Sequence, residues 1–127
     1  MPITRIQPDG LTKPAAYTQV VRTGDVVHIA GQTAITQDGQ IVGTGDIDAQ
    51  AEQVFRNLEI ALASVGATFA HVVKITTFLT RREDLDGYRR VRERFIPSDP
   101  PASTLLFISG LAHTDYLIEI EATAVID

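Results

Sequence analysis

The clearest periodic pattern in the chain lies near its C-terminus, where apolar and polar residues alternate from Tyr116 to Ile126. Successive side chains of a β-strand point to opposite faces, so this alternation predicts a strand. Ile118 and Ile120 fall on one face of that strand, and Glu119 and Glu121 fall on the other. We expect the isoleucine face to pack against helices and the glutamate face to meet water, a ligand or another subunit.

Other β-favouring runs predict five further strands. They are Ile3–Ile6, Tyr17–Arg22, Val26–Ala30, Val72–Thr80 and Ser103–Ile108. The second and third of these runs are joined by Thr23, Gly24 and Asp25, a short glycine-containing connection that predicts a hairpin. Pro100 and Pro101 precede the fifth run. Because proline fixes φ and lacks a backbone donor, that strand should begin just after them.

Two segments show the 3.6-residue periodicity of amphipathic helices. In the first, one apolar stripe is formed by Val54, Phe55, Leu58, Ala61, Leu62 and Val65. Asp46 or Asp48 can cap its N-terminus, and Gly66 should end it, because glycine adopts the left-handed conformation without a Cβ penalty. The second helix should run from about Asp84 to Phe95, with acidic residues at its start and arginines near its end, an order that complements the helix dipole.

The predicted order is strand, strand, strand, helix, strand, helix, strand, strand, which indicates an α+β fold. The chain length fits a single domain over residues 1–127. The two helices can cover one face of a mixed sheet, and this leaves the other face bare. Val20, Val27, Ile29 and Leu117 argue against two wetted faces. We therefore expect copies of the chain to associate through the uncovered face.

Composition and charge exclude several classes of function. The chain has no cysteine, which excludes disulfides, iron–sulfur clusters, cysteine zinc sites and thiol catalysis. Its net charge of −5 argues against non-specific nucleic-acid binding, which requires an excess of basic residues. His28, His71 and His113 are scattered, so no metal site is expected. No apolar run approaches the ~20 residues that cross a membrane, and no signal peptide is recognisable, so the cytoplasm is the expected location.

Five stretches, taken in their order along the chain, resemble the RidA family, also called YjgF-like. They are Pro14-Ala15-Ala16-Tyr17-Thr18-Gln19, His28-Ile29-Ala30-Gly31-Gln32, Val73-Lys74-Ile75-Thr76-Thr77-Phe78-Leu79-Thr80, Pro100-Pro101-Ala102 and Ile118-Glu119-Ile120-Glu121-Ala122. The resemblance covers nearly the whole chain. It implies a chorismate-mutase-like α+β fold and a homotrimer whose three sheets form a central barrel, with clefts between subunits. It also implies, for active members, hydrolysis of enamines and imines such as 2-aminoacrylate and 2-iminopropionate to a 2-keto acid and ammonia.

The same resemblance places the family's site residues on this sequence. Its tyrosine falls on Tyr17, its backbone-donating glycine on Gly31 and its water-orienting glutamate on Glu119. Active deaminases of the family carry an arginine directly after the Pro-Pro-Ala corner, where a guanidinium can bind a substrate carboxylate through two hydrogen bonds. Here that position is Ser103, through replacement of the arginine or loss of one residue. An asparagine that lines the cleft in some members corresponds to Arg89, which is a candidate replacement for the arginine.

Imine hydrolysis requires a water molecule, a group that takes and returns its proton, and a means of holding the substrate. Glu119 can handle the proton, and burial in a subunit cleft would raise its pKa toward neutrality. No cofactor or metal is required. Each candidate also has a structural interpretation: Glu119 as an ion-paired or solvated sheet carboxylate, Tyr17 as a core aromatic, Gly31 as a bulge residue and Arg89 as a solvated arginine. We expect a small-molecule hydrolase of the enamine and imine deaminase type, with an altered substrate preference.

Two other functions remain as alternatives. A trimer that kept the cleft and lost turnover would bind a ligand without converting it. A ribonuclease or inhibitor of translation would use the arginines, of which six of nine lie within the fourteen residues 81–94. Acidic residues interleave with those arginines, which favours a solvated charged face and no nucleic-acid partner. Ser109, His113 and Asp115 are near one another in sequence, but spacing alone does not make a catalytic triad.

Overall fold

Six strands and two α-helices make up the fold in the computed structural model, which describes residues 2–127. The strands are β1 (Ile3–Ile6), β2 (Val20–Thr23), β3 (Val26–Gln32), β4 (Val72–Leu79), β5 (Ala102–Phe107) and β6 (Ile118–Val125). The helices are α1 (Ile47–Ala63) and α2 (Leu85–Phe95), and a short 3₁₀ turn precedes each of β4 and α2. The fold is therefore α+β, and the predicted order of elements is confirmed.

The six strands form one mixed sheet in the order β1-β2-β3-β6-β4-β5. Only β4 and β5 are parallel, and α2 makes the crossover between them. The other neighbours pair antiparallel. Strand β6, which shows the clearest alternation in the sequence, lies in the middle of the sheet between β3 and β4. Strand β6 is therefore hydrogen-bonded along both edges, and its side chains alternate between the two faces of the sheet.

Both helices pack on one face of the sheet and enclose the hydrophobic core. Ile118, Ile120, Ala122 and Ala124 of β6 are all buried against this layer, as the alternation predicts. Val20, Val27 and Ile29 also lie in this core. They say nothing about whether the second face is wetted, contrary to the expectation from the sequence, because register pairs Val20 with Ile29 and Ile29 with Ala122 on the helix side. Leu117 is buried as well, just before β6.

The second face of the sheet, which we call the open face, carries no helix. It contains Glu119, Glu121, Thr123 and Val125 of β6 and, beside them, Lys74, Thr76 and Phe78 of β4. Large apolar side chains are exposed on β4, β5 and β6: Val73 at 46%, Leu106 at 45% and Val125 at 42%. Of these, Leu106 and Val125 lie on the open face by register and give it apolar character, whereas Val73 is the bulged residue between Val72 and Lys74.

Strand β2 begins at Val20, three residues later than predicted. The cause is the Gln7 side chain, whose amide donates to the carbonyl oxygens of Pro14 and Tyr17 and accepts from the backbone N–H of Gln19. These bonds satisfy the backbone of the segment without a strand partner. Tyr17 therefore lies in an irregular arm. Strand β3, conversely, continues through Gly31 to Gln32.

The start of β6 is set by Gln50 of α1, whose side chain is fully buried. Its amide nitrogen donates to the carbonyl oxygen of Asp115 at 2.7 Å, and its amide oxygen accepts from the N–H of Leu117 at 2.8 Å. These two backbone groups consequently take no part in the sheet. The strand predicted from Tyr116 therefore begins at Ile118.

Replacement of Gln50 by leucine should destabilise the fold by about 2–4 kcal/mol. The change leaves one backbone carbonyl and one backbone N–H without a partner, and each such group costs about 1–3 kcal/mol when it is buried. Chemical denaturation measures this loss. Glu59→Leu places the same residue at an exposed position of α1 and is the control. Equal stability of the two variants would contradict the proposed anchoring of the loop before β6.

Candidate active site

Glu119 and Gly31 meet on the open face of the sheet. Glu119 projects from β6 opposite Phe78 of β4. On its other side β3 carries a bulge, because Ile29 pairs with Ala122 whereas Gln32 pairs with Ile120. Ala30 and Gly31 therefore share the space opposite one residue of β6. Such a bulge re-aims the strand locally and is common beside active sites.

The glycine at this bulge leaves room for the glutamate side chain. A Cβ atom built on Gly31 would lie 2.2 Å from Oε2 of Glu119, 2.7 Å from its Cδ and 3.0 Å from its Cγ. No other amino acid fits unless the carboxylate moves. Gly31 is thus required at this position by the place that Glu119 occupies.

The environment of Glu119 favours its protonated form. The side chain is half-buried, and this desolvation raises the pKa of its carboxyl group above the ordinary value; the negative charge of Glu121 raises it further. Across residues 2–127, no side chain donates a hydrogen bond to the carboxylate. A half-buried carboxylate with free acceptor positions and a raised pKa is suited to exchange protons with water or a ligand.

Tyr17 is on the surface, with 52% of its area exposed. It belongs to the arm before β2, where its carbonyl oxygen accepts a hydrogen bond from Gln7. Its phenol forms no hydrogen bond within the part of the chain that the structure describes. Tyr17 is therefore available to a ligand or to another subunit, and it is not the core aromatic considered as the structural alternative.

Ser103 lies on the opposite side of the sheet from Glu119. In the parallel pairing of β5 with β4 it stands beside Ile75, which is buried under the helices. It lines a groove of about 280 Å³ together with Arg92, Pro100 and Pro101. The structure thus does not join Ser103 to Glu119 within one chain, and its predicted role in binding stays a prediction.

The β5 residues that share the open face with Glu119 are Ala102, Thr104 and Leu106, by their register with Lys74, Thr76 and Phe78 of β4. Nearby, Nζ of Lys74 donates a hydrogen bond to Oγ1 of Thr104 at 2.7 Å. The sequence did not single out Lys74 or Thr104 as functional. The sequence would indicate these two residues only if the register of β4 against β6 and of β5 against β4 were already known.

Arg89 is exposed on α2, in the helix layer. Because that layer covers the face of the sheet that Glu119 does not occupy, a single chain does not bring the two side chains together. Arg89 forms no ion pair with any residue from 2 to 127. Its role as a replacement for the family arginine is a prediction that depends on contacts between chains.

The five other arginines of segment 81–94 all make contacts within the chain. Arg90 pairs with Asp48 and Arg94 with Glu52, both across the interface between the two α-helices. Arg81 forms a two-bond pair with the buried Asp84. The guanidinium groups of two more lie over aromatic rings, Arg82 over Phe107 and Arg92 over Tyr88. These contacts stabilise α2 against its neighbours and do not favour an RNA-binding surface.

Ser109, His113 and Asp115 line one groove of about 480 Å³ at the end of the sheet. Nδ1 of His113 accepts the backbone N–H of Asp115 at 3.0 Å, so the proton of the neutral ring lies on Nε2. A ring in this tautomer cannot accept a proton from Ser109 through Nε2. The three residues therefore share a groove without forming a triad.

Within the described residues, no group of three or more His, Asp or Glu side chains is placed to hold a metal ion. No helix in that range is long and apolar enough to cross a bilayer.

Comparison with known proteins identifies the family of the chain and agrees with its fold. Residues 9–126 match the family model described as Endoribonuclease L-PSP, and the chain belongs to this family, which includes the RidA or YjgF proteins. Protein DfrA of Myxococcus xanthus is 37% identical over 114 residues, covering 86% of this chain and 84% of DfrA.

The chain is also similar in sequence to a protein named as a deaminase and in structure to a RidA protein. A protein of Dermatophagoides farinae named 2-iminobutanoate/2-iminopropanoate deaminase is 29% identical, with 87% of this chain and 86% of that protein covered. The crystal structure of RidA from the Antarctic bacterium Psychrobacter sp. superposes with a TM-score of 0.88 at 27% identity, covering 97% of this chain and 99% of that one.

Proposed function

We propose that this protein hydrolyses small imines, and enamines after tautomerisation, at a cleft built around Glu119. The observation that carries this proposal is the half-buried Glu119 carboxylate, which lies against Gly31 with a raised pKa and free acceptor positions. The similarity to a protein named 2-iminobutanoate/2-iminopropanoate deaminase supports the choice of substrate class. No metal, cofactor or covalent intermediate is needed for this reaction.

In this mechanism Glu119 acts first as a base and then as an acid. Its carboxylate takes a proton from water as the water oxygen bonds to the imine carbon, and the electrons of the C=N π bond move to nitrogen. Glu119 returns the proton to that nitrogen, and a neutral carbinolamine results. The carboxylate then takes the proton of the carbinolamine hydroxyl and passes it to the amino nitrogen, so the C=O bond forms as the C–N bond breaks and ammonia leaves. A pKa raised toward neutrality makes proton transfer in both directions easier near pH 7.

Recognition of the substrate should differ from that of arginine-containing deaminases. Neither Ser103, which faces the helix layer, nor Thr104, which faces the open side, carries a guanidinium. A charge-assisted hydrogen bond contributes about 1.5–3 kcal/mol, so loss of a two-bond arginine contact would weaken carboxylate binding substantially. The preference among 2-imino acids, or among compounds without a carboxylate, should shift accordingly.

Release of ammonia and pyruvate from freshly generated 2-iminopropanoate tests the proposed activity. Addition of the protein should accelerate release above the spontaneous rate, in proportion to protein concentration. The control is the same protein heated until it unfolds. No acceleration for 2-iminopropanoate, 3-aminoacrylate or a carboxylate-free imine would overturn the proposal.

The active form in this proposal is a homotrimer that buries the open faces. Leu106 and Val125 are exposed there in the single chain, which disfavours a stable monomer. Arg89, which one chain does not bring to Glu119, would then reach a cleft from a neighbouring subunit, and the exposed Tyr17 would be available to line it.

Sedimentation should therefore show an assembly of three 13.8-kDa chains, about 41 kDa, at micromolar concentration. Leu106→Glu should shift this assembly toward smaller species, because it places a charge in the buried face. Ala63→Glu adds the same charge at an exposed position of α1 and should leave the mass unchanged. A wild-type monomer would contradict the trimer.

None of β3, β4, β5 and β6, the strands around Glu119, carries an arginine. This favours a second candidate, a trimer that binds a small molecule without converting it. Thermal unfolding in the presence of imines, enamines, keto acids and carbamates distinguishes the two. Stabilisation by a ligand without any turnover would support binding alone.

A further inference from the structure

Gln32 is a buried side chain directly after the bulge that carries Gly31, and only 3% of its area is exposed. It pairs with Ile120 of β6, whose side chain is buried under the helices. Gln32 therefore points to the covered side of the sheet, whereas Glu119 points to the open side. An apolar side chain is the ordinary occupant of such a position, so a buried amide indicates a specific role.

The amide nitrogen of Gln32 makes two hydrogen bonds. It donates to the carbonyl oxygen of Ala30 at 2.9 Å and to Oε1 of Gln19 at 2.8 Å. The N–H of Ala30 is bound as well, since it donates to the carbonyl oxygen of Gln19 at 2.9 Å. Both backbone polar groups of Ala30 are thus fixed, the carbonyl by the Gln32 side chain and the N–H by the backbone.

The bond to Ala30 also restrains the peptide unit that Ala30 shares with Gly31. A peptide unit is planar, and this one is trans, so the Gly31 N–H points away from the Ala30 carbonyl. Glycine has more backbone freedom than any other residue, and the bulge interrupts the regular pairing with β6, so the unit needs another restraint. Gln32 provides it. Because the Glu119 carboxylate lies against this glycine, its position depends on how the peptide unit is held.

Further hydrogen bonds connect the bulge to the arm that carries Tyr17. Nε2 of Gln19 donates to the carbonyl oxygen and to Oγ1 of Thr12, at 3.2 and 3.1 Å. The N–H of Gln19 donates to Oε1 of Gln7, whose Nε2 donates to the carbonyl oxygen of Tyr17 at 2.8 Å. Within residues 2–127, no buried side-chain nitrogen or oxygen lacks a partner. A satisfied polar network of this kind makes its surroundings rigid.

We propose that Gln32 is a positioning residue for the active site. From the covered side of the sheet it holds the Ala30–Gly31 peptide unit so that the Glu119 carboxylate keeps the place in which it exchanges protons, and Gln19 fixes the orientation of the Gln32 amide. This inference rests on the proposed function and adds a residue that acts on the reaction through Glu119 without touching the substrate.

Gln32→Met removes both hydrogen bonds and keeps an unbranched side chain of similar length. Gln19→Met is a milder second variant, because Gln32 can still donate to Ala30 after its bond to the Gln19 side chain is lost. Tyr88→Phe is the control: it removes a buried hydrogen bond, between the hydroxyl groups of Tyr88 and Thr77, that β6 separates from the bulge. For each protein, kcat and KM for 2-iminopropanoate are measured together with the midpoint of chemical denaturation.

For Gln32→Met we expect kcat to fall by about tenfold or more with KM within about threefold of wild type, because the proton acceptor moves while the contacts that hold the substrate stay. Gln19→Met should cause a smaller loss, and Tyr88→Phe should keep kcat within about twofold of wild type. In a protein that already carries Glu119→Gln, Gln32→Met should cause little further loss, since Gln32 acts through Glu119. A lower denaturation midpoint in Gln32→Met with an unchanged kcat would mean a role in stability alone and would overturn the proposal.

NMR spectroscopy tests the position of the carboxylate without turnover. In protein labelled with ¹³C at the glutamate carboxyl groups, the signal of Glu119 is the one that Glu119→Gln removes. Because Glu119 and Gln32 lie on opposite faces of the sheet, this signal should shift only if the bulge moves. We expect a shift in Gln32→Met and in Gln19→Met that exceeds any shift in Tyr88→Phe. If Gln32→Met does not fold, Gln19→Met decides, and an unshifted signal there would overturn the proposal.

The two proposals fail in different ways. Turnover of 2-iminopropanoate with a kcat independent of Gln32 would overturn the role of Gln32 and leave the hydrolase intact. A Glu119 signal that depends on Gln32, in a protein that shows no turnover, would support the role of Gln32 and overturn the hydrolase.

Discussion

Replacement of Glu119 by glutamine should lower kcat/KM for imine hydrolysis by about 10²–10⁴-fold, the usual contribution of a positioned general acid–base. Glutamine preserves the shape of the side chain beside Gly31 but cannot take a proton from water. Initial rates of ammonia release measure the effect. Glu121→Gln, at the exposed carboxylate two residues along β6, is the matched control and should retain most of the activity.

The pH dependence of the rate provides a second test of the same residue. Glu119 must be ionised to accept a proton, so kcat/KM should fall on the acid side as pH drops through its raised pKa. Glu121→Gln removes the negative charge that helps to raise the pKa of Glu119. The acid limb of the pH–rate profile should therefore move to lower pH. An acid limb that does not move would show that Glu121 does not act on the base.

Glu119→Gln should stabilise the fold although it lowers the activity. Folding raises the pKa of Glu119, so the folded chain binds more protons than the unfolded chain and the contribution of this group to stability falls as pH rises. Glu119→Gln removes that unfavourable ionisation. The variant should therefore unfold at a higher temperature than wild type at pH 7, and the difference should shrink as pH is lowered toward 4.5. A destabilised variant at pH 7 would contradict this electrostatic account of the site.

Much of the fold could be predicted because local patterns determine it. The alternation in β6 assigned Ile118 and Glu119 to the correct faces, since a period of two fixes alternate sides within a single strand. Pro100 and Pro101 placed the start of β5 correctly, because two fixed φ angles act on the adjacent residues alone. The start of β2 was misplaced because the bonds that satisfy the backbone around Tyr17 come from Gln7, a residue remote in sequence.

The relation between strands could not be predicted in the same way. Whether Ser103 or Thr104 shares the face of Glu119 depends on the register of β5 against β4, and a slip by one residue exchanges the two faces. The bulge at Gly31 likewise depends on pairing with β6. The identities of the site residues were therefore more accessible than their arrangement.

Replacement of Gly31 by alanine should lower kcat/KM by about 100-fold while changing stability by less than about 1 kcal/mol. The added Cβ would lie 2.2 Å from Oε2 of Glu119, so the carboxylate must move away. A displacement of about 1 Å in a catalytic geometry can cost about 10²-fold in rate. The fold should tolerate the change, because Gly31 has no positive φ and the group that must move is the end of a flexible side chain.

Gly110→Ala is the matched control for this experiment. Gly110 also lacks a positive φ, and a Cβ built there meets nothing within 4 Å, so both activity and stability should stay near wild type. The double variant Gly31→Ala/Glu119→Gln distinguishes displacement of the Glu119 carboxylate from a general disturbance of the sheet. If alanine acts by moving the carboxylate, it should cause little further loss once the carboxylate is gone, and the two effects will not add. Full additivity would mean that Gly31 contributes to the reaction independently of Glu119, for example through its own backbone N–H.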